Sequence, residues 1–258
     1  MQTDRFRRPT DPALAIFIMR TDDGSHTGLL VRMNGLLMNQ DVLWHEKFRS
    51  SPCRQLPHFV TPALEPEEIH DVRMMCQLIH ERQNSRDPSK EYRIPYAFRY
   101  TNKARINRAT GEVQLVDGLG MSCSTFVLAV FQSVEIRLVD MATWKARADD
   151  ITRHEQLLQK MRDGIPDFAD PAPPAHIALV ARETTCLRVR PEEVAATGMI
   201  NDLPATFEQL ETAGTWIMSE IRWCPVRLVE RPASFYAVSS GPSPFPRGSD
   251  LGETSWTT

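Results

Sequence analysis

A cysteine attacks a carbonyl only as its thiolate, and an unperturbed thiol keeps its proton up to a pKa of roughly 8.5. One of the five cysteines in this 258-residue chain stands where that value should fall. Cys123 lies in Asp117-Gly-Leu-Gly-Met-Ser-Cys-Ser-Thr-Phe-Val127, at the head of a run that is apolar nearly all round. Ser122 is placed to act as an N-cap, and Gly118 and Gly120 permit a sharp entry into a helix. Unpaired N–H groups and the dipole at a helix start favour negative charge, and the same groups can hold an oxyanion. The competing reading is an inert thiol buried in a core helix.

A thiol nucleophile needs a base within hydrogen-bond reach, and a third polar group commonly orients that base. Two histidines compete. His45, in Val-Leu-Trp-His-Glu-Lys-Phe, ends an apolar strand upstream of the cysteine. His176, in Pro-Ala-His-Ile-Ala-Leu-Val, opens an apolar segment downstream of it. His58, Asp41 or Glu46 are the candidates for orienting His45. His26 sits beside a turn and reads as surface, and His70, His80 and His154 read as solvated helical positions.

Ile94-Pro-Tyr-Ala-Phe-Arg-Tyr100 followed by the Cys123 motif resembles the tyrosine and cysteine motifs of the papain-like cell-wall peptidases and amidases. The resemblance spans about residues 13 to 150 and is greatest to the circularly permuted branch, in which a histidine-bearing strand precedes the cysteine helix. It implies attack by Cys123 on an amide or ester carbonyl, with Tyr96 near the oxyanion. The permuted order favours His45 as base and the unpermuted order His176. Met121-Ser122 stands where the unpermuted branch commonly carries an aspartate before the cysteine.

Five widely spaced cysteines without a C-x-x-C pair exclude a disulfide framework or a zinc ribbon, and no histidine pair has metal spacing. No metal and no cofactor is expected. A net charge of −3 gives no electrostatic case for nucleic acid. No run reaches the length of a membrane span, so no stable membrane insertion is expected. A P-loop and a G-x-S-x-G elbow are absent. Arg188-Val-Arg-Pro-Glu-Glu193 reads as a structural ion-pair segment, with binding of an anionic substrate group as its alternative. The expected compartment is the cytoplasm, and leaderless export is compatible with it.

The elements that must position Cys123 follow from periodicity. Strands are expected at Ala13–Met19 and Gly28–Met38, the latter broken by a hairpin turn at Asn34-Gly35. Asp41–Phe48 reads as one strand leaving the sheet. A helix is expected from Pro66 to Gln83, extended chain at 92–100 and 112–116, the Cys123 helix, and a helix over Arg153–Met161. A proline-rich linker follows at 165–174, then an apolar segment from His176, a helix opened by Pro191 and another from Pro204 to Ile221. Val226–Val229 reads as a last strand.

The expected fold is α+β and papain-like, with an antiparallel sheet or half-barrel packed on the cysteine helix, circularly permuted, and extra C-terminal helices. Residues 1–238 would form a single catalytic domain with a helical extension from about 141, and 239–258 a disordered tail. The expected function is a cysteine hydrolase acting on a peptide, amide or acyl substrate through an acyl-enzyme. The alternatives are a lipid or thioester acyl hydrolase or acyltransferase on the same fold, and a non-catalytic module that binds a partner protein.

Overall fold

The computed structural model describes residues 12–221 except 23, 86, 88–91, 101–102, 116–118 and 184–186. The tail from 239 and the strand expected at Val226–Val229 lie outside the described residues.

The protein is mixed α+β. Strands β1 (Leu14–Thr21), β2 (Gly24–Met33), β3 (Leu36–Trp44), β4 (Lys47–Pro52) and β5 (His58–Val60) form one antiparallel sheet in the order β4-β3-β2-β1-β5. Asn34 and Gly35, both with positive φ, make the tight turn from β2 to β3, as the Asn-Gly pair requires. The segment 41–48 is not a single strand. Chain reversal at His45 and Glu46, with Glu46 at φ 54°, separates β3 from β4. β2 also begins earlier than its apolar run, at Gly24, because Ser25 and His26 pair with Arg20 and Met19 across the hairpin.

Helix α1 (Pro66–Gln83) matches its expected bounds and buries Val72, Met75, Cys76 and Ile79. Helix α2 (Cys123–Ser133) buries all of its residues except Gln132, which explains a sequence without a polar face. Phe126 and Phe131 are completely buried, and each such side chain contributes on the order of 1.5–3 kcal/mol of hydrophobic stabilisation. Helix α2 packs on β2 and β3.

Helices α3 (Ala148–Asp163), α4 (Pro174–Ala181), α5 (Pro191–Thr197) and α6 (Phe207–Glu220) follow. α5 lies on β1 and β2 and is itself packed by α6. The 92–100 segment is buried irregular chain rather than a strand. It is held by bonds such as Tyr100 N–H to Leu187 O, 3.4 Å, and by the bridge between Arg99 and Arg188. Strands β6 (Arg105–Ile106) and β7 (Val113–Gln114) form a separate small ribbon. No helix among the described residues is long and apolar enough to cross a membrane.

Candidate active site

Helix α2 begins at Cys123 itself. The Ser122 hydroxyl accepts from the Thr125 N–H, and the Thr125 hydroxyl accepts the Ser122 N–H at 2.7 Å. This reciprocal cap satisfies two of the four orphan donors of the first turn. The N–H groups of Cys123 and Ser124 are left without an intrahelical acceptor beside the sulfur. Gly120 sets the approach to the helix. At φ +114°, a Cβ there would lie 2.2 Å from the Pro95 carbonyl oxygen, and Met121 N–H bonds that same oxygen at 2.8 Å. The Cys123 loop and the Tyr96 segment are thereby fastened to each other.

The imidazole beside the thiol is His26. The His26 ring and the backbone N–H of Thr27 act on the Cys123 sulfur, and His26 and Cys123 line the same pocket. His26 Nε2 lies 2.6 Å from Asp41 Oδ2, which leaves Nδ1 for the sulfur. Arg49 grips the same carboxylate through Nε and Nη2, each at 2.8 Å. Gly28 leaves room for Asp41 in this position, because a Cβ there would lie 2.6 Å from Asp41 Cβ and from the Phe17 ring.

Burial opposes charge on all three groups, but their mutual attraction is stronger. The His26 imidazole is pulled down by burial and lifted by the Cys123 thiolate and Asp41, ending at about 9. Burial pushes the Cys123 thiol up, while the His26 charge, its hydrogen bond, the Thr27 N–H and Arg188 bring it below its ordinary value. Asp41, raised by burial, is held below the usual carboxylate range by Arg49 and His26. These couplings all act toward a thiolate–imidazolium pair backed by an ionised carboxylate.

Tyr96 lies against the sulfur. Its hydroxyl hydrogen-bonds Cys123, and burial followed by the thiolate charge keeps the phenol protonated. The two histidines expected to supply the base clasp the backbone of this tyrosine instead. His45 Nδ1 accepts the Tyr96 N–H at 3.3 Å, and His176 Nε2 donates to the Tyr96 carbonyl at 3.0 Å. Their rings are 4.7 Å apart. Burial, then the neighbouring His176, hold His45 below its ordinary pKa.

The expectation that His26 is a surface residue fails because β2 extends through Gly24, which puts His26 inside the sheet and 4% exposed. The available signal was His-Thr-Gly in a strand of a hairpin, with an aspartate 15 residues later. Asp41, a candidate for orienting His45, contacts His26 instead. Glu46 Oε1 lies 4.0 Å from His45 Nε2, and His58 pairs with Ile18 in the sheet. His154 is buried rather than solvated.

A pocket of about 150 Å³ opens over the sulfur, walled by Trp44, Tyr96, Phe98, Leu157 and Phe168. Trp44 and Tyr96 stack with ring centroids 5.1 Å apart. Among the described residues, no group of three His, Cys, Asp or Glu side chains is arranged to hold a metal ion. Fold and site thus define a mixed α+β protein with a thiol and an imidazole lining one pocket and a buried carboxylate behind the imidazole. No protein-family model matches the chain, and comparison with curated proteins and with solved structures finds no match.

Proposed function

We propose that this protein is a cysteine hydrolase of the circularly permuted papain-like type, acting on an amide through an acyl-enzyme. The observation that carries the reading is the His26 ring, which shares the pocket with Cys123 and acts on its thiol, and is backed by Asp41 at 2.6 Å. The order supports permutation, since the histidine strand β2 precedes the cysteine helix α2. The antiparallel sheet packed on that helix is in keeping with the family.

In this mechanism the Cys123 thiolate attacks the carbonyl carbon. The tetrahedral oxyanion is held by the N–H groups at the start of α2 and by the protonated Tyr96 hydroxyl. The His26 imidazolium passes its proton to the departing amine as the C–N bond breaks, leaving a thioester on Cys123. Neutral His26 then takes a proton from water, the hydroxide adds to the thioester, and the acid is released with the thiolate restored. Asp41 orients the ring and stabilises its charged form throughout. Attack consumes the thiolate charge that raises His26, so the imidazolium becomes a stronger acid as the amine departs.

The test is p-nitrophenyl acetate as an acyl donor, followed by nitrophenol release and intact mass. The expected result is one acetyl group on Cys123 and release beyond one equivalent, both lost in Cys123→Ala, with release strongly slowed in His26→Ala. Acetylation of Cys53 in preference to Cys123 would overturn the proposal, as would release unaffected by the loss of His26.

A further inference from the structure

Helix α3 lays one positively charged face over the mouth of the pocket. Arg153 and Lys160, two turns apart, both line it, and Arg188 lines it from the segment preceding α5. No aspartate or glutamate is among the described lining residues. Charges of one sign around a low-dielectric cleft concentrate counter-charged ligands.

Arg153 and Arg188 differ from the other arginines nearby. Arg147 pairs with Glu193 and, at 2.8 Å, with Asp150, and Arg190 pairs with Asp149 at 2.5 Å and Asp150 at 3.2 Å. Those pairs neutralise each other and tie α3 to α5. The Arg188 carbonyl accepts from Arg147 Nη2 at 3.0 Å, while its guanidinium approaches the cluster at Asp150, 3.7 Å away, and lies 4.6 Å over the Phe98 ring. Arg153 bonds Gln156 at 2.9 Å and pairs with no carboxylate among the described residues. Its guanidinium rests against Gly24, where an added Cβ would lie 3.2 Å away. Glu192 is engaged by the hydroxyl of Ser25, which also lines the pocket, at 2.5 Å.

Resting on the thiol-hydrolase reading, we infer that the substrate carries a carboxylate close to the scissile carbonyl, received by Arg153 and Arg188 with Lys160 beside them. Arginine forks match the planar geometry of a carboxylate, and the aromatic and aliphatic walls take the apolar remainder of the substrate. The charge of Arg188 acts on both the Cys123 thiol and the Tyr96 hydroxyl, and that of Arg153 acts on Tyr96. An anion bound by these residues therefore sits within electrostatic range of the reacting atoms.

Iodoacetate and iodoacetamide test this directly, because they alkylate the same sulfur and differ by one carboxylate. The rate ratio of iodoacetate to iodoacetamide is measured at Cys123 and, as the internal standard, on glutathione, with alkylation located by mass spectrometry. Cys123 is expected to favour iodoacetate over the glutathione ratio by about tenfold at low ionic strength, with the preference declining as salt is added. The ratio is expected to fall in Arg153→Gln and further in Arg153→Gln/Lys160→Gln. Inertness to both reagents defeats the hydrolase reading itself. Ready alkylation at the glutathione ratio defeats only the carboxylate site. A preference that persists unchanged in the double variant belongs to Arg188 or the His26 imidazolium and overturns the assignment of Arg153 and Lys160. The salt titration needs only the unsubstituted protein, and a preference that does not decline with salt overturns the proposal without any variant that must fold.

Discussion

Asp41→Asn isolates the electrostatic work of the relay, since the amide keeps the shape of the carboxylate and removes its charge. The charge removed belongs to the acceptor of a 2.6 Å contact from the His26 ring, between two buried side chains. Hydrogen bonds to ionised groups contribute about 1.5–3 kcal/mol, and one pKa unit corresponds to about 1.36 kcal/mol, so His26 should fall by about one to two units. From about 9 this leaves the ring titrating at about 7–8. The Arg49 guanidinium, now without its bidentate partner, pushes the same way. Because thiolate and imidazolium stabilise each other reciprocally, the Cys123 thiol must rise as His26 falls. The ion pair therefore occupies a narrower pH window, contracted from both ends. The assay is alkylation of Cys123 by iodoacetamide from pH 5 to 9, with circular dichroism as the control for folding. At about pH 6 the variant is expected to react about 10- to 100-fold more slowly, with the acid limb moved to higher pH. A profile superimposable on that of the unsubstituted protein, from a folded variant, would refute the coupling of Asp41 to the thiol.

Replacing His26 by alanine should collapse the acid limb of that profile, whereas His45→Ala should cost about tenfold at most, through a displaced Tyr96; the reverse order would restore His45 as the base. The stability contributed by Asp41, whose folded pKa is depressed, is fully present above the unfolded value of 3.8 and is lost as pH falls through the folded one. The difference in Tm between the protein and Asp41→Asn should therefore shrink on acidification. Glu183 has the opposite sign. Burial raises it from 4.5 to about 7, so it takes up protons on folding, and stability falls as pH rises from 4.5 through 7. Glu183→Gln should accordingly gain Tm at pH 8 relative to pH 5. Gly120→Ala combines a positive φ with a clash against Pro95 and should cost about 2–4 kcal/mol in urea unfolding, with loss of Cys123 reactivity.

Local chemistry was legible in the sequence wherever a single segment contains all of it. Helix α1 follows from its proline, its acidic first turn and its 3.6-residue stripe, and the β2–β3 hairpin from Asn34-Gly35. The start of α2 follows from Ser122 and the apolar run after it. Cys123 was visible for the same reason, since a helix start acts on the residue that occupies it. Its partner was not visible. His26 and Asp41 meet through strand register and through the empty space at Gly28, and neither property is written in the residues around His26. Ser25 and His26 look like turn residues because they are polar. They are strand residues because Arg20 and Met19 lie opposite them across the hairpin. His45 and His176 had local contexts at least as suggestive, and folding brought both to the Tyr96 backbone. Residue order alone was enough to put a thiol at the head of a buried helix. Which imidazole stands beside that thiol was settled by tertiary packing, because it depends on distances between strands and helices that no local preference sets.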